Sequence, residues 1–133
     1  MAASSYKDLT ADFQVNALPT IGEVDYLRPK IKQLLREFKQ ALSELYGERL
    51  ASLVLYGSVA RHEETEDADV DVLVVLRGKT ISRFDEIRQM GDAKFELLLK
   101  FDELVSVVPM MHDDFLHRES PLLRNVRREG ILV

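Results

Sequence analysis

Hydrophobic residues along the chain follow two kinds of pattern, one typical of helices and one typical of strands. Across residues 26–46 the apolar positions recur every three or four residues, which predicts one helix of about five turns; these positions are Leu27, Ile31, Leu34, Leu35, Phe38, Leu42 and Leu45. Asp25 is placed to cap its start, and Gly47 to end it. A weaker helical period covers residues 81–100 and is interrupted by Gly91.

Short continuous apolar runs predict strands at residues 53–56, 69–76 and 104–110. The third run is rich in β-branched residues, and Pro109 is expected to close it. A strand, a crossover helix and a further strand imply an α/β sheet covered by helices. Near the C-terminus, Ser120 can cap a last helix that starts at Pro121 and ends at Gly130.

The domain organisation follows from the same pattern. Residues 1–24 mix small and polar residues without a sustained period, so we expect a loosely ordered N-terminal arm there. Residues 25–133 are then one domain, because the 133-residue chain is long enough for a single core.

Composition excludes several classes of protein. No apolar run approaches the roughly 20 residues of a membrane span, and the first residues lack a signal-peptide pattern, so we expect a cytoplasmic protein without a membrane partner. The net charge of -5 argues against a broad surface for nucleic acid, which is bound by cationic side chains. The residues leave the oligomeric state open, with a homo-oligomer among the options.

The residues available for metal binding point to hard cations. The chain has no cysteine, and His62, His112 and His117 match no zinc-binding spacing. Carboxylates are therefore the main strong ligands. They favour Mg²⁺ or Mn²⁺.

The candidate site is a Gly-Ser turn followed by two carboxylates. Gly57 and Ser58 end the first strand, where glycine permits a sharp turn and serine can cap a helix. Asp69 and Asp71 lie two residues apart at the start of the second strand, so both point to one face at roughly 6.5 Å. Two such charges repel by about 2.5 kcal/mol, a cost that a divalent cation would reverse.

Gly57-Ser58, ten further residues and then Asp69-Val70-Asp71 resemble the signature of the DNA polymerase β nucleotidyltransferase superfamily, in its minimal nucleotidyltransferase branch. The resemblance implies a polymerase β-like palm, a small mixed β-sheet covered by helices. It also implies that Gly57, Ser58 and Arg61 bind a nucleoside triphosphate such as ATP. Asp69 and Asp71 would be the catalytic pair that binds Mg²⁺ or Mn²⁺.

Two positions depart from the pattern of that family. The glycine that usually follows the arginine is His62 in this chain. The third carboxylate that active members carry on the third strand has Ser106 in its slot; Glu103 is expected to face the other side of that strand, and Asp102 to precede it. Two roles stay open: Arg61 either clamps a phosphate or pairs with neighbouring acids, and Ser58 caps a helix with or without a phosphate.

The resemblance implies an activity and a partner. We expect transfer of a nucleoside monophosphate, AMP from ATP, to a hydroxyl of a partner protein. In that family such short domains are often encoded beside a separate small helical HEPN-type toxin and act as its antitoxin by modifying it. The alternative is a nucleotide- or partner-binding module that has lost catalysis with its third carboxylate and neutralises its partner by binding alone.

Overall fold

The structure, a computed structural model, describes residues 13–78 and 82–133. Within them lies one sheet in which β2 pairs antiparallel with β1 and parallel with β3, while β1 also pairs antiparallel with β4. The spatial order is β3-β2-β1-β4, so the sheet is mixed and the predicted fold class is confirmed. The strands are β1 (Leu50–Tyr56), β2 (Val70–Leu76), β3 (Val105–Met111) and β4 (Ile131–Leu132).

Helices connect these strands and cover the sheet. They are α1 (Pro29–Tyr46), α2 (Gly57–Ala60), α3 (Arg83–Gln89), α4 (Gly91–Phe101), α5 (His112–His117) and α6 (Pro121–Glu129), with 3₁₀ turns at Val15–Ala17 and Gly47–Arg49. Among the described residues, no helix has both the length and the apolar character needed to cross a bilayer.

The central strand β2 is buried on both faces, which explains its continuous apolar sequence. Val70, Val72 and Val74 belong to the larger core, which also takes the apolar side of α1. Leu73 and Val75 point the other way, into a second core with residues of α5 and α6. Because the side chains of a strand alternate, Asp71 lies on the face of this second core.

The predicted start of the first helix is wrong by three residues. Helix α1 begins at Pro29, with the extended Arg28 (ψ 142°) as its N-cap and without a side-chain capping bond, so Asp25 does not cap it. The reason is that a residue before proline is disfavoured in helical conformation, which prevents the helix from extending back through Arg28. Gly47 ends the helix with a φ of 56°, as expected.

The predicted helical stretch at residues 81–100 consists of two helices. They meet at Met90, next to the Gly91 that weakened the prediction. Residue 81 lies outside the described residues. The fully buried Met90 anchors the junction in the core.

The third strand continues past Pro109, which was predicted to close it. Pro109 pairs in register with Val74, and the strand runs on to Met111. An edge strand tolerates proline because only one of its sides donates hydrogen bonds to the sheet.

Both chain ends of the described fold pack on the sheet. The predicted C-terminal helix is confirmed, since the backbone N–H of Leu123 donates to Ser120 Oγ at 3.1 Å. In the predicted arm, Leu18, Ile21 and Val24 are buried, and Thr20 bridges to the last strand. The division of the chain at residue 25 stays a prediction.

Gly130→Ala should destabilise the fold by about 1–3 kcal/mol, the usual cost of overpacking. A Cβ at Gly130 would lie 2.9 Å from Val54 Cγ1 and overlap the carbonyl oxygen of Val126, while the φ of -64° adds no backbone strain. The matched control is Gly91→Ala, because a Cβ there meets nothing within 4 Å. Urea unfolding measures both, and equal stabilities for the two variants would contradict the close approach of α6 to β1.

Candidate functional site

Asp71 is the one polar residue of the central strand β2 and lies near the start of that strand. It pairs in register with Tyr56 on β1 and with Ser106 on β3. Registered partners in neighbouring strands point to the same face, so the Asp71 carboxylate stands between these two side chains. The slot beside it on the third strand therefore holds a hydroxyl rather than a carboxylate.

Asp69 is exposed and precedes β2, whereas Asp71 is half-buried within it. Burial is the main cause that raises the pKa of Asp71, and the neighbouring charge of Asp69 raises it further. Arg61 lowers the same pKa, and Glu129 raises it. The two aspartates therefore interact, as their spacing predicted, and their repulsion weakens the charged form of Asp71.

The turn before α2 needs glycine for two reasons. Gly57 has a φ of +81°, a conformation that other residues rarely adopt, which confirms the predicted sharp turn. A Cβ on this residue would also lie 3.1 Å from Cγ of Asp71 and overlap its Oδ2. The Asp71 carboxylate is thus packed against the α-carbon of the turn.

Ser58 does not cap a helix, so this part of the prediction is wrong. Helix α2 already starts at Gly57, its N-cap is Tyr56, and no side chain caps it. Ser58 is half-buried inside the first turn, because the helix starts two residues earlier than a serine cap at this position requires.

Arg61 pairs with carboxylates, one of the two roles left open by its sequence position. Its Nη1 lies 2.8 Å from Glu129 Oε2, and its Nε lies 3.5 Å from Glu63 Oε1. The same Glu129 oxygen accepts a hydrogen bond from the backbone N–H of Gly57 at 2.8 Å. The sequence pattern assigned Glu129 no role, although it directly precedes Gly130, the predicted end of the last helix.

His62, the departure from the expected glycine, adopts the left-handed conformation with a φ of 59°. Histidine tolerates this region better than most residues. Its ring stacks on Tyr26 with centroids 4.8 Å apart, and the Tyr26 hydroxyl donates to the carbonyl of Ala60. The turn after Arg61 therefore keeps the geometry that glycine would allow.

The third strand contains no carboxylate that could replace the missing one. Asp102 is the left-handed C-cap of α4, and Glu103 also precedes the strand, contrary to expectation, and pairs with Arg28 at 3.5 Å and with Lys30 at 2.8 Å. A cavity of about 350 Å³ reaches Asp69 along Leu98 and Leu104. It gives a second molecule a way to approach this end of β2.

The described residues contain no group of three or more histidine, cysteine or acidic side chains placed to hold a metal ion. Asp69 and Asp71 nevertheless fit a Mg²⁺ or Mn²⁺ ion as a partial ligand set, because both are oxygen donors and a divalent cation would remove their repulsion. Mg²⁺ usually completes its shell with water and substrate phosphates.

Comparison with known proteins gives a consistent family. The family model described as a nucleotidyltransferase domain matches residues 35–129. Three relatives from Methanocaldococcus jannaschii are each named putative protein adenylyltransferase. The first is 30% identical over 59% of this chain, and the match spans only about half of that relative (53%). The second is 30% identical over 59% of this chain and 78% of its own length. The third is 34% identical over 55% and 72%.

A solved structure of low sequence identity shares the fold. A putative nucleotidyltransferase from Sulfolobus solfataricus superposes with a TM-score of 0.50 at 18% identity, covering 77% of this chain and 80% of that chain. A structure described as a toxin-antitoxin with AMP-PNP reaches a TM-score of 0.47 at 20% identity, covering 77% and 68%. The second likeness is too weak to carry an argument.

Gly57→Ala should disturb Asp71 as well as the backbone. The left-handed φ costs about 1–3 kcal/mol for alanine, and the new Cβ displaces the Asp71 carboxylate. Gly47→Ala is the matched control, since Gly47 has a φ of +56° and nothing within 4 Å of its Cβ position. Urea unfolding should show a larger loss for Gly57→Ala, and NMR titration should show a changed Asp71 pKa in that variant alone. Equal losses would contradict the packing.

Asp71→Asn should stabilise the protein at pH 7 by about 1–2 kcal/mol, because solvent screens part of a repulsion of about 2.5 kcal/mol. The folded-state pKa of Asp71 is raised, so its contribution to stability is fully present below the unfolded pKa and is lost as pH rises through the folded pKa. Denaturation between pH 3 and pH 8 should show this loss in the wild type and not in the variant. Mg²⁺ should stabilise only the wild type. A variant that is less stable than the wild type at pH 7 without Mg²⁺ would contradict the repulsion between the two carboxylates.

Proposed function

The chain belongs to the nucleotidyltransferase domain family, and from this premise we propose that it transfers AMP from ATP to a hydroxyl of a partner protein, with release of pyrophosphate. The observation that carries the proposal is the packing of the Asp71 carboxylate against the α-carbon of Gly57. This contact joins the Gly-Ser turn and the carboxylate pair into one site, where a triphosphate and a cation can meet.

In the proposed reaction the acceptor oxygen attacks the α-phosphorus of ATP. A new phosphoester bond forms, the bond from the α-phosphorus to the bridging oxygen of the β-phosphate breaks, and pyrophosphate leaves. Asp69 and Asp71 would hold Mg²⁺ or Mn²⁺, which when bound neutralises charge on the phosphate oxygens. The hydroxyl proton passes to water, because Ser106 stands where a carboxylate base would be.

The turn residues have the complementary task of holding the triphosphate. The backbone N–H of Ser58 and the guanidinium of Arg61 are suited to phosphate oxygens, while the Gly57 N–H already donates to Glu129 and shapes the turn. Positioning and charge neutralisation supply most of the catalysis in phosphoryl-group chemistry, and both come from this turn and the carboxylates.

A separate protein is the proposed acceptor. The relatives' names as protein adenylyltransferases support a protein substrate. The cavity beside Asp69 supports an approach from outside the chain. We extend the proposal to a cytoplasmic antitoxin that modifies a tyrosine of a small helical HEPN-type toxin, on the strength of the motif's resemblance to that branch of the family.

A second candidate function is a module that binds nucleotide or partner without turnover. The observation that favours it is the pairing of Ser106 with Asp71, since a hydroxyl neither completes a two-metal site nor serves as a strong base. Such a module would neutralise its partner by contact alone.

Incubation of the protein with α-labelled ATP, Mg²⁺ or Mn²⁺ and a HEPN-type protein from the same genome should label the acceptor. Asp71→Asn should reduce labelling by at least about a hundredfold, the usual scale for losing a group that stabilises transition-state charge. Asp113→Asn is the control, because Asp113 is exposed on α5. It should label as the wild type does.

Labelling that survives Asp71→Asn would contradict the assigned site. Tight partner binding without any labelling would favour the second function, and Ser106→Asp then tests its cause. If the missing carboxylate is the sole reason for the lack of turnover, Ser106→Asp should transfer label to the acceptor protein.

A further inference from the structure

Glu129 is a nearly buried carboxylate that has no role in the reaction proposed for the Gly-Ser turn and the aspartate pair. Only 8% of its side chain is exposed, and one oxygen, Oε2, accepts from both the backbone N–H of Gly57 and Nη1 of Arg61 at 2.8 Å each. It therefore connects the C-terminal end of α6 to both ends of the short helix α2.

The pairing of β4 with β1 places Glu129 at this point. Ile131 pairs antiparallel with Leu55, so carrying the register two residues further brings Glu129 opposite Gly57. Gly130 allows this approach, because a side chain there would overlap the end of α6 and press on Val54 of β1. The order Glu-Gly-Ile thus delivers a carboxylate to the turn from across the sheet.

The charge of Glu129 is matched to Arg61. A neutral acceptor would satisfy the Gly57 N–H, and a buried carboxylate carries a desolvation cost that a neutral side chain avoids. The charge is required only by the guanidinium. The ion pair with Glu129 holds the Arg61 side chain in place. In this position Arg61 lies near enough to Asp71 to lower the pKa of the Asp71 carboxyl.

Glu129 is unsuited to replace the third carboxylate that Ser106 lacks. Its Oε2 already accepts two hydrogen bonds, one of them from a cation, so this oxygen is occupied by the turn and the guanidinium. Its effect on the reaction would pass through Gly57 and Arg61.

We propose that Glu129 is a positioning residue of the nucleotide site: it fixes the Gly57 turn and holds the Arg61 guanidinium beside Asp71, ready for the triphosphate. The inference rests on the proposed function, since it assigns Arg61 to the phosphates. The C-terminal segment thereby becomes part of the site. Glu129 makes a neutral contact with the Gly57 N–H and a charged contact with the Arg61 guanidinium.

The first test uses the protein without nucleotide. In NMR spectra, Glu129→Ala should speed hydrogen exchange of the Gly57 amide by about tenfold, because the amide loses its acceptor. Glu129→Gln should keep that protection through its amide oxygen but release the Arg61 side chain. Glu86→Gln is the matched control, since the Glu86 side chain is also 8% exposed and pairs with Arg49 at 3.5 Å and with Tyr46 at 2.9 Å. An unchanged Gly57 amide in Glu129→Ala would overturn the proposal.

The second test measures affinity for a non-hydrolysable ATP analogue with Mg²⁺. Glu129→Gln and Arg61→Gln should each weaken binding about tenfold, the scale of a lost charge-assisted hydrogen bond, and the double variant should be no weaker than the weaker single one. Additive losses would mean that Glu129 does not act through Arg61 and would overturn the proposal. Glu86→Gln should bind as the wild type does.

The results separate this inference from the proposed function. Wild-type binding with an unchanged affinity of Glu129→Gln overturns the role of Glu129 alone. Absence of nucleotide binding by the wild type at millimolar concentration overturns both. If Glu129 had a purely structural role, Glu129→Gln would lower the melting temperature and the nucleotide affinity together. A positioning role predicts that Glu129→Gln loses affinity while the Gly57 amide stays protected.

Discussion

The contact between the Asp71 carboxylate and the α-carbon of Gly57 constrains the whole site. Glycine is required there by the backbone angle and by the carboxylate that fills the space of a side chain. Tyr56 and Asp71 are paired between the two central strands, so the turn and the carboxylate cannot separate without breaking this end of β1 from β2. The position of the Asp71 carboxylate relative to the turn is thereby set by the pairing of β1 with β2.

This strand pairing holds an unfavourable arrangement of charges in place. Asp71 is the polar exception in a strand whose other residues are apolar and buried, and it is close to Asp69. Like charges and partial desolvation destabilise the free site, and the packing of β2 on both faces offsets them. Perturbed carboxylates of this kind are typical of sites that bind cations or react.

Strong hydrophobic periodicity made the main helices and strands predictable, and the two errors in their bounds both involve proline. The apolar face of α1 and the Ser120-Pro121 start of α6 are visible because each depends on neighbours in the sequence. The start of α1 was misplaced because a proline overrides the helical pattern. Pro109 was misread because its tolerance depends on β3 lying at the edge of the sheet, which no local pattern reveals.

Local patterns along the chain were sufficient to predict the α/β class, the turn at Gly57 and the spacing of the two aspartates, because turn angles and strand alternation act over a few residues. The family resemblance pointed to Ser106, and the strand register shows it beside Asp71, whereas the contacts of Glu129 with Gly57 and Arg61 became visible only in the folded chain. Those neighbours are brought together by strand order and by the register of β3 and β4, which depend on how distant segments pack. Residues 72 positions apart meet because the sheet aligns them.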